Sequence, residues 1–224
     1  MRNLFPGFTK ESFEFFMLIR LNNNKPFFDE NKEHFERVLK EPLYALAEDM
    51  QPFMQEVDKN IDTRPSRAVS RIRRSTRYRR DLSPYRDHLW VSWRDRTRDE
   101  EDSAIFTFYF SIEFDQMYCG SGYYNAKPGQ MKALRKRIEE QPERFERIAK
   151  KAEKGGFSLH GDDYVRISAP ESLPEICAKY YTKKSFHIEK ELPIDEEHMS
   201  VRLPDILKEN FSFLKDMYEF VNYG

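Results

Sequence analysis

The sequence predicts an α+β fold: a single globular domain over residues 1–224, in which helices flank a mostly antiparallel sheet. Three observations predict it. Apolar residues recur at helical spacing near both ends and in the middle of the chain, and residues 104–114 alternate as a half-buried strand does. A chain of 224 residues is also long enough for one hydrophobic core and needs no second domain.

The N-terminal third predicts three helices. Thr9 is expected to cap the first, because its hydroxyl can accept from the free amides of the first turn. Residues 22–24 with Pro26 are expected to end that helix. A second helix is expected after Asp29 and a third from Pro42. The predicted apolar faces are Phe13, Phe16, Met17 and residues 19–21 on the first helix, His34, Phe35, Val38 and Leu39 on the second, and Leu43, Leu46, Met50 and Phe53 or Met54 on the third.

The strand signals follow in the middle of the chain. Short strands are expected at residues 72–78 and 89–93, and the clearest one at residues 104–114. In that stretch every even position is apolar and the odd positions are mostly polar, which is the period of an antiparallel strand with one buried face. The Gly-Ser-Gly sequence at 120–122 is expected to turn the chain, and residues 123–124 to return along the strand.

Helical signals resume in the second half. Helices are expected to begin at Pro128 and Pro142, because proline is favoured in the first turn, and residues 155–156, both glycine, are expected to end the second. A closing helix is expected at residues 206–218. Short strands are expected at residues 157–159, 163–167 and 186–188.

Composition predicts a soluble, cytoplasmic protein with an aromatic-rich core. Aromatic residues make up 15% of the chain, and no run approaches the roughly 20 apolar residues that a membrane span requires. The N-terminal apolar run is interrupted by charges, unlike a signal peptide. The two cysteines, Cys119 and Cys177, are therefore expected to be free thiols in a reducing compartment. No membrane association is expected, and the oligomeric state is left open.

The segment from Arg64 to Arg98 carries the strongest functional signal. It begins in an expected loop at residues 64–66 and holds twelve arginines, no lysine and three acids, so its net charge is +9 in a chain of net charge −1. The planar guanidinium binds carboxylate or phosphate through two parallel hydrogen bonds, which lysine cannot do. On a strand, positions 71, 73, 75 and 77 would form a basic, hydroxyl-bearing face, while Arg74 on the opposite face would need a partner.

Two other interpretations of this segment stay open. The arginines can pair with acids on the preceding helices, and such surface pairs contribute only about 0–1 kcal/mol each and imply no ligand. They can also, with aromatic residues, form a non-catalytic protein-interaction surface for an acidic partner or for a second copy of the chain. Arginines interleaved with Tyr78, Tyr85, Trp90 and Trp93 are also what a nucleic-acid stacking surface would use. Nucleic acid is not the expected partner, because the pI of 6.6 shows no basic bias. The acids considered as pairing partners are Glu33, Glu41, Glu48, Glu56 and Asp58.

Motifs for catalysis and for metals are absent from the sequence. There is no phosphate-binding glycine loop, no HExxH, no CxxC and no GxSxG. The string His160-Gly161-Asp162-Asp163 is interpreted as a polar turn, because adjacent aspartates on a strand would face opposite ways. No metal and no cofactor are expected, the catalytic residues are unknown, and whether the protein is an enzyme is left open.

Several strings resemble a family of conserved hypothetical proteins from bacteria and fungi, grouped as a domain of unknown function. Residues 22–28 (NNNKPFF) resemble its NN-x-x-x-WF segment, and residues 74–86 (RSTRYRRDLSPYR) resemble its R-D-x-R-F-S-K-D-K-S-P-Y-K string. Residues 122–124, Leu134-Arg135 and Gly161-Asp162 with Arg166 also fit. This chain departs from the family strings at Phe27, Ser75, Arg79 and Leu82. The resemblance implies an α+β fold and carries no established activity.

These observations lead to one functional hypothesis, a site for a small anionic ligand bearing phosphate or carboxylate groups. Arg74 and Arg77 would bind the anion, while Arg86 would add positive potential. Asp81 would orient one guanidinium. Ser83 and Tyr85 would donate hydroxyls, and Asn23 and Phe28 would line the pocket wall.

Overall fold

The computed structural model describes residues 4–75, 83–97 and 104–224, and it confirms the α+β class. The helices are α1 Lys10–Leu21, α2 Lys25–Glu30, α3 Lys32–Phe35, a π-helical segment Glu36–Lys40, α4 Glu41–Asp49, α5 Gln51–Val57, α6 Pro65–Ala68, α7 Pro128–Glu140, α8 Pro142–Lys154, α9 Glu175–Tyr181, α10 Glu196–Met199, α11 Leu203–Ser212 and α12 Lys215–Asn222. The strands are β1 Ile61–Asp62, β2 His88–Asp95, β3 Thr107–Glu113, β4 Met117–Gly122, β5 Ser158–His160 and β6 His187–Leu192. They form one antiparallel sheet in the order β1-β2-β3-β4-β6-β5.

The chain groups into two compact units. Unit 1 comprises Met1–Trp93, Tyr109–Tyr118 and Glu191–Lys208, and unit 2 comprises Arg94–Phe108, Cys119–Lys190 and Glu209–Gly224. The single-domain organisation expected from the chain length stays a prediction.

Helix α1 in unit 1 begins where it was predicted, but its buried face differs from the expected one. The amide of Thr9 donates to Ser12 Oγ at 3.1 Å and closes the first turn. Met17 is 51% exposed and Leu21 is 78% exposed, because both lie on the side of the helix opposite the buried stripe. The buried residues of α1 are Ser12, Phe13, Phe15, Phe16 and Ile19.

A helix that was not predicted, α2, precedes the second predicted helix. The second predicted helix, after Asp29, is confirmed as α3 and the π-helical segment, where Phe35, Val38 and Leu39 are buried. Pro26 does not prevent a helix; it lies in the first turn of α2, where its missing amide hydrogen has no helical partner to lose. Asn24 caps this helix, and its Oδ1 accepts from the amide of Phe27 at 3.0 Å. The third predicted helix is confirmed as α4 and α5, where the apolar face is buried. Its buried members are Leu43, Leu46, Met50 and Met54.

A π-helical segment at Glu36–Lys40 joins α3 to α4; a helix was predicted here, but its π-helical form was not. Val38 and Leu39 are buried within it. The hydroxyl of Ser12, which is 1% exposed, donates to the carbonyl oxygen of Val38 at 2.7 Å. A side chain of α1 therefore satisfies a buried carbonyl of this irregular segment.

The structure of the chain after α5 agrees only in part with the sequence predictions. The loop expected at residues 64–66 is wrong, since Pro65 begins the one-turn helix α6. The strand expected at residues 72–78 is described only to position 75, and there it forms single bridges, Val69 to Val91 and Arg73 to Tyr85. Its alternation is confirmed over those positions. Residues 71, 73 and 75 are exposed, Ile72 is buried, and the side chain of Arg74 is 12% exposed.

The clearest predicted strand is confirmed as β3, but the predicted turn is wrong. Phe106, Phe108, Phe110 and Ile112 are buried, as the alternation requires. The chain reverses at residues 114–116, where the amide of Glu113 donates to the carbonyl of Gln116 at 2.8 Å. The Gly-Ser-Gly sequence lies inside β4, and residues 123–124 follow that strand.

Unit 2 contains the predicted helices α7 and α8, and short strands at β5 and β6. The strand expected at residues 163–167 is wrong, because that stretch makes only the bridge from Asp163 to Lys183. The closing helix is divided into α11 and α12. The amides of Phe213 and Leu214 there bond to carbonyls only three residues back, which tightens the turn and ends α11.

The core of unit 2 is aromatic, as composition predicted. Phe108 stacks on Tyr218 with ring centres 5.1 Å apart and meets Phe211 at 5.2 Å. Phe145 contacts Phe220 at 5.1 Å. These rings are fully or nearly fully buried, so each removes a large apolar area from water.

Candidate functional site

Three of the predicted site residues meet in unit 1 at the junction of α1 and α2. Asn23 Nδ2 donates to the carbonyl oxygen of Tyr85, and the amide of Tyr85 donates to Asn23 Oδ1, both at 2.9 Å. Phe28 stacks on the Tyr85 ring with centres 4.3 Å apart and planes 21° apart. We call this group of Asn23, Phe28 and Tyr85 the Asn23 clamp. It fixes the backbone and the ring of Tyr85 at once.

Asp87 lies at the centre of a second group, which we call the Asp87 cluster, with Arg20, Arg74 and His88. Arg74 Nη2 lies 2.9 Å from Asp87 Oδ1, and His88 Nδ1 lies 3.2 Å from the same oxygen. Arg20 Nε lies 3.9 Å from Asp87 Oδ2. Three cationic or potentially cationic side chains therefore share one carboxylate.

The surroundings of Asp87 favour its charged form. Burial acts to raise the pKa of Asp87. The hydrogen bond from His88, a backbone hydrogen bond and the charges of His88 and Arg74 outweigh that effect, so the pKa lies below its ordinary value. Asp87 is therefore ionised at neutral pH and can hold the guanidinium of Arg74.

Arg86, Trp90 and His88 form a stack beside the cluster. The Arg86 guanidinium carbon lies 4.7 Å from the centre of the Trp90 ring, and Arg86 Nε donates to the carbonyl oxygen of Arg71 at 3.1 Å. The His88 ring packs on Trp90 with centres 5.6 Å apart and planes 24° apart. The indole thus lies against a guanidinium and an imidazole.

Two arginines of the segment extend into solvent. Arg71 and Arg73 are exposed, and within the described part of the chain neither side chain forms an ion pair. Arg73 is close enough to Lys25 to act on its pKa. The hydrogen bond and charge of Asp29 raise the pKa of Lys25, and the positive charge of Arg73 opposes them. The charges of Arg73 and Lys25 therefore act on each other, and Asp29 compensates that of Lys25.

The remaining predicted site residues are placed as follows. Arg77 and Asp81 lie in the stretch 76–82, outside the described residues. Ser83 is partly exposed and precedes Tyr85 by two residues. Arg74 is brought to Asp87, whereas the hypothesis assigned it directly to the anion.

Sequence reasoning missed Arg20, Asp87, His88 and Trp90 as members of the site. One signal could have found Asp87: Arg74 was expected to need a partner on its face. Asp87 follows Tyr85, which pairs with Arg73, by two residues. Arg20 carried no such signal, because only the packing of α1 brings it to the cluster.

Other chemistry is disfavoured in the parts that the structure describes. Burial raises the pKa of Cys119 to about 12 and that of Cys177 to about 11, so both free thiols stay protonated and are weak nucleophiles at neutral pH. No group of three or more His, Cys, Asp or Glu among the described residues is arranged to hold a metal ion. In the string His160–Asp163, Asp163 binds Thr182 and Lys183 instead.

Within residues 4–75, 83–97 and 104–224, no helix combines the length and the apolar content needed to cross a bilayer.

Comparison with known proteins identifies the family. The model of the conserved hypothetical protein family DUF2461 matches residues 11–220. This chain belongs to that family. The match to DUF2461 confirms the resemblance inferred from the sequence, and it includes every residue of the Asn23 clamp and the Asp87 cluster. A comparison with curated proteins finds no match.

Proposed function

We propose that this DUF2461 protein binds a small anionic ligand, bearing phosphate or carboxylate groups, through its central arginine cluster. The observation that carries the proposal is the group of basic side chains Arg20, Arg74 and His88, which outnumber the one carboxylate, Asp87, that they share. Arg71 and Arg73 add two exposed guanidinium groups along the same segment. An anion placed there would meet several planar hydrogen-bond donors at once.

The ligand would be bound mainly by the exposed arginines. Arg71 and Arg73 alternate with the buried Ile72, so both point to the same side of the chain. Arg86 lies close to this position, because its Nε binds the backbone of Arg71. In this proposal Arg77 and Ser83 supply further donors, and Asp81 orients one guanidinium.

The Asp87 cluster and the Asn23 clamp would act as positioning groups. Asp87 fixes the guanidinium of Arg74, so its direction is set before a ligand arrives, and little conformational freedom is lost on binding. Asn23 fixes the backbone at Tyr85 in the same way. The partly exposed face of Trp90 would provide an apolar wall.

Internal charge pairing explains only part of the segment. Arg64 binds Asp62 through two contacts, at 2.9 and 2.6 Å, and its side chain is 69% exposed. Such a pair contributes about 0–1 kcal/mol and implies no ligand. The same explanation does not extend to Arg71 and Arg73, which form no ion pair in the described part of the chain.

A cytoplasmic location is part of the proposal. Cys119 and Cys177 are both free thiols in the structure, which is the form that a reducing compartment maintains.

A thermal-shift panel on the purified protein tests the proposal. The additives are inorganic phosphate, nucleotides, sugar phosphates, dicarboxylates and short oligonucleotides, all at fixed ionic strength. A ligand at about a hundred times its dissociation constant should add roughly 2.7 kcal/mol of stability and raise Tm measurably. We expect one chemical class to raise Tm in the wild type, and we expect Arg71→Ala/Arg73→Ala to abolish that shift.

The matched control is Arg166→Ala/Arg202→Ala, which also removes two exposed arginines. It should keep the full ligand-induced shift. A flat panel, or an undiminished shift in Arg71→Ala/Arg73→Ala, would contradict the proposal.

A second candidate function is a protein-interaction surface, and α1 favours it. Met17 and Leu21 are 51% and 78% exposed, and Leu18 is 39% exposed, so α1 presents three apolar side chains to solvent. Light scattering over a hundredfold range of concentration tests self-association, and a strict monomer counts against it. Nucleic-acid binding would be distinguished by an affinity that falls steeply with salt.

A further inference from the structure

Two histidines of unit 2 face each other across neighbouring strands. His160 in β5 and His187 in β6 are direct partners in the antiparallel register. Their ring centres are 5.1 Å apart and their planes differ by 13°. β5 is the last strand of the sheet, and His160 is exposed while His187 is half-buried. The pair is therefore open to solvent on one side and held by the sheet on the other.

Close backbone contacts fix the positions of both histidines. Gly122 in β4 lies against His187, and a Cβ at position 122 would be 2.3 Å from the His187 Cβ. Gly161, which follows His160, has φ +121°, and a Cβ there would lie 2.1 Å from the carbonyl oxygen of Ser185. Only glycine fits at either position. These contacts set the spacing of the two imidazoles before any ligand binds.

We propose that His160 and His187 form a two-imidazole binding site for a divalent transition-metal ion, namely Cu²⁺, Ni²⁺ or Zn²⁺. Two imidazoles that each bind one ion at about 2.0–2.1 Å with a near-tetrahedral angle have ring centres roughly 5 Å apart. The observed ring-centre separation of 5.1 Å equals that distance, whereas the nearly parallel ring planes do not aim two nitrogens at one point. Because the second torsion of a histidine side chain is broad, ring rotation can turn a nitrogen of each towards one point.

Each histidine would bind the ion through one nitrogen of its neutral imidazole. Water would complete the coordination shell, since two protein ligands leave positions open. Of the three ions, Cu²⁺ should bind most tightly, following the general order for nitrogen ligands.

This site differs from the polar turn at residues 160–163 considered in the sequence. Its second ligand comes from a strand 27 positions later in the chain, and Asp162 and Asp163 take no part. It shares no residue with the arginine cluster, so neither proposal depends on the other.

Isothermal titration of tag-free protein in a non-chelating buffer tests the proposal. Cu²⁺, Ni²⁺ and Zn²⁺ are each titrated into the wild type and into His160→Gln, His187→Gln and His198→Gln. We expect one ion per chain in the wild type, and at least a tenfold loss of affinity, about 1.4 kcal/mol, in the first two variants. The His198→Gln control, in which a histidine beside Asp195 is removed, should bind as the wild type does.

Electron paramagnetic resonance of the Cu²⁺ complex gives a second readout. The wild type should show two imidazole nitrogens, and His160→Gln should show one at most. Failure of all three ions to bind the wild type would overturn the proposal, and so would wild-type affinity in His160→Gln. His160 is exposed, so His160→Gln is expected to fold. It therefore tests the metal site even if His187→Gln fails to fold.

Discussion

At the residue scale, the side chain of Asn23 pairs with the backbone of Tyr85 as a neighbouring β-strand would. Its amide group offers one donor and one acceptor with the spacing of a peptide unit, and Tyr85 uses both. A single side chain thus satisfies the backbone of a residue 62 positions away. The Phe28 ring stacks on the ring of Tyr85, so the backbone and the side chain of Tyr85 are both restrained.

Replacing Asn23 by alanine should therefore destabilise the protein by about 1–3 kcal/mol. The change leaves a buried N–H and C=O without their partner, which costs more than the loss of an exposed hydrogen bond. Urea unfolding of Asn23→Ala measures this. The matched control is Asn22→Ala, because Asn22 Nδ2 makes one exposed bond, to Leu18 at 3.2 Å. Equal loss in the two variants would show that the clamp adds nothing to stability.

Asp87 should make the stability of the protein depend on pH. Because its pKa is lower in the folded state, its contribution is complete above the ordinary aspartate pKa of about 3.9 and is lost as the pH falls through the lower folded value. Asp87→Asn removes this contribution at every pH. The wild type should therefore be more stable than Asp87→Asn at neutral pH, and the difference should shrink as the pH falls towards 3.

Unfolding of both proteins by urea between pH 7 and 3 provides the measurement. A difference that stays constant over this range would mean that Asp87 keeps its ordinary pKa in the fold.

At the scale of the element, the π-helical segment depends on α1. Ser12 accepts from Thr9 at the start of α1 and donates to Val38, so one hydroxyl serves both elements. Ser12→Ala should cost about 1–3 kcal/mol, since the Val38 carbonyl would then be buried without this donor. Ser200→Ala is the matched control, because the hydroxyl of the partly exposed Ser200 donates to the carbonyl of Glu197 in a solvent-exposed hydrogen bond. Urea unfolding measures the free energy of unfolding of both variants. An equal loss in the two would mean that the Ser12 hydroxyl does not stabilise the π-helical segment.

Elements whose signal is local could be predicted from the sequence. β3 alternates over its whole length, and α7 and α8 each carry a proline in the first turn, so these three were correct. The π-helical segment and the break between α11 and α12 leave no mark in the spacing of apolar residues. The Gly-Ser-Gly prediction failed for a different reason. Gly122 is required by the approach of His187, which no local pattern contains.

The features of the candidate site also divide into those that the local sequence predicts and those that depend on tertiary packing. The exposure of Arg71 and Arg73 and the need of Arg74 for a partner follow from alternation along one segment. The identity of that partner and the arrival of Arg20 follow from tertiary packing, which a single sequence does not contain. The sequence predicted Asn23 only as part of a pocket wall, whereas in the structure its side chain binds the backbone of Tyr85.

At the scale of the whole molecule, the single-domain prediction can be tested by two neighbouring residues. Phe108 lies in the aromatic core of unit 2, and Phe110 stacks on Phe8 in unit 1 with ring centres 6.1 Å apart. Replacing either by leucine removes about three buried carbons, or about 2 kcal/mol. If the chain is one cooperative domain, both variants should lower one common transition by a similar amount.

Calorimetry of Phe108→Leu and Phe110→Leu provides the measurement. Two transitions, with each variant lowering only its own, would show that the units unfold independently and would refute the single-domain prediction.

Because Trp90 stacks with Arg86 and His88, its intrinsic fluorescence can report on the arginine segment. The chain has two tryptophans, and Trp93 is fully buried, so its emission should be a nearly constant background. Trp90 is partly exposed and lies 4.7 Å from a guanidinium carbon, where an arriving anion would change the electric field across the indole. Intrinsic fluorescence should therefore shift in colour or intensity as the arginine segment is occupied, which allows affinity to be read from unlabelled protein.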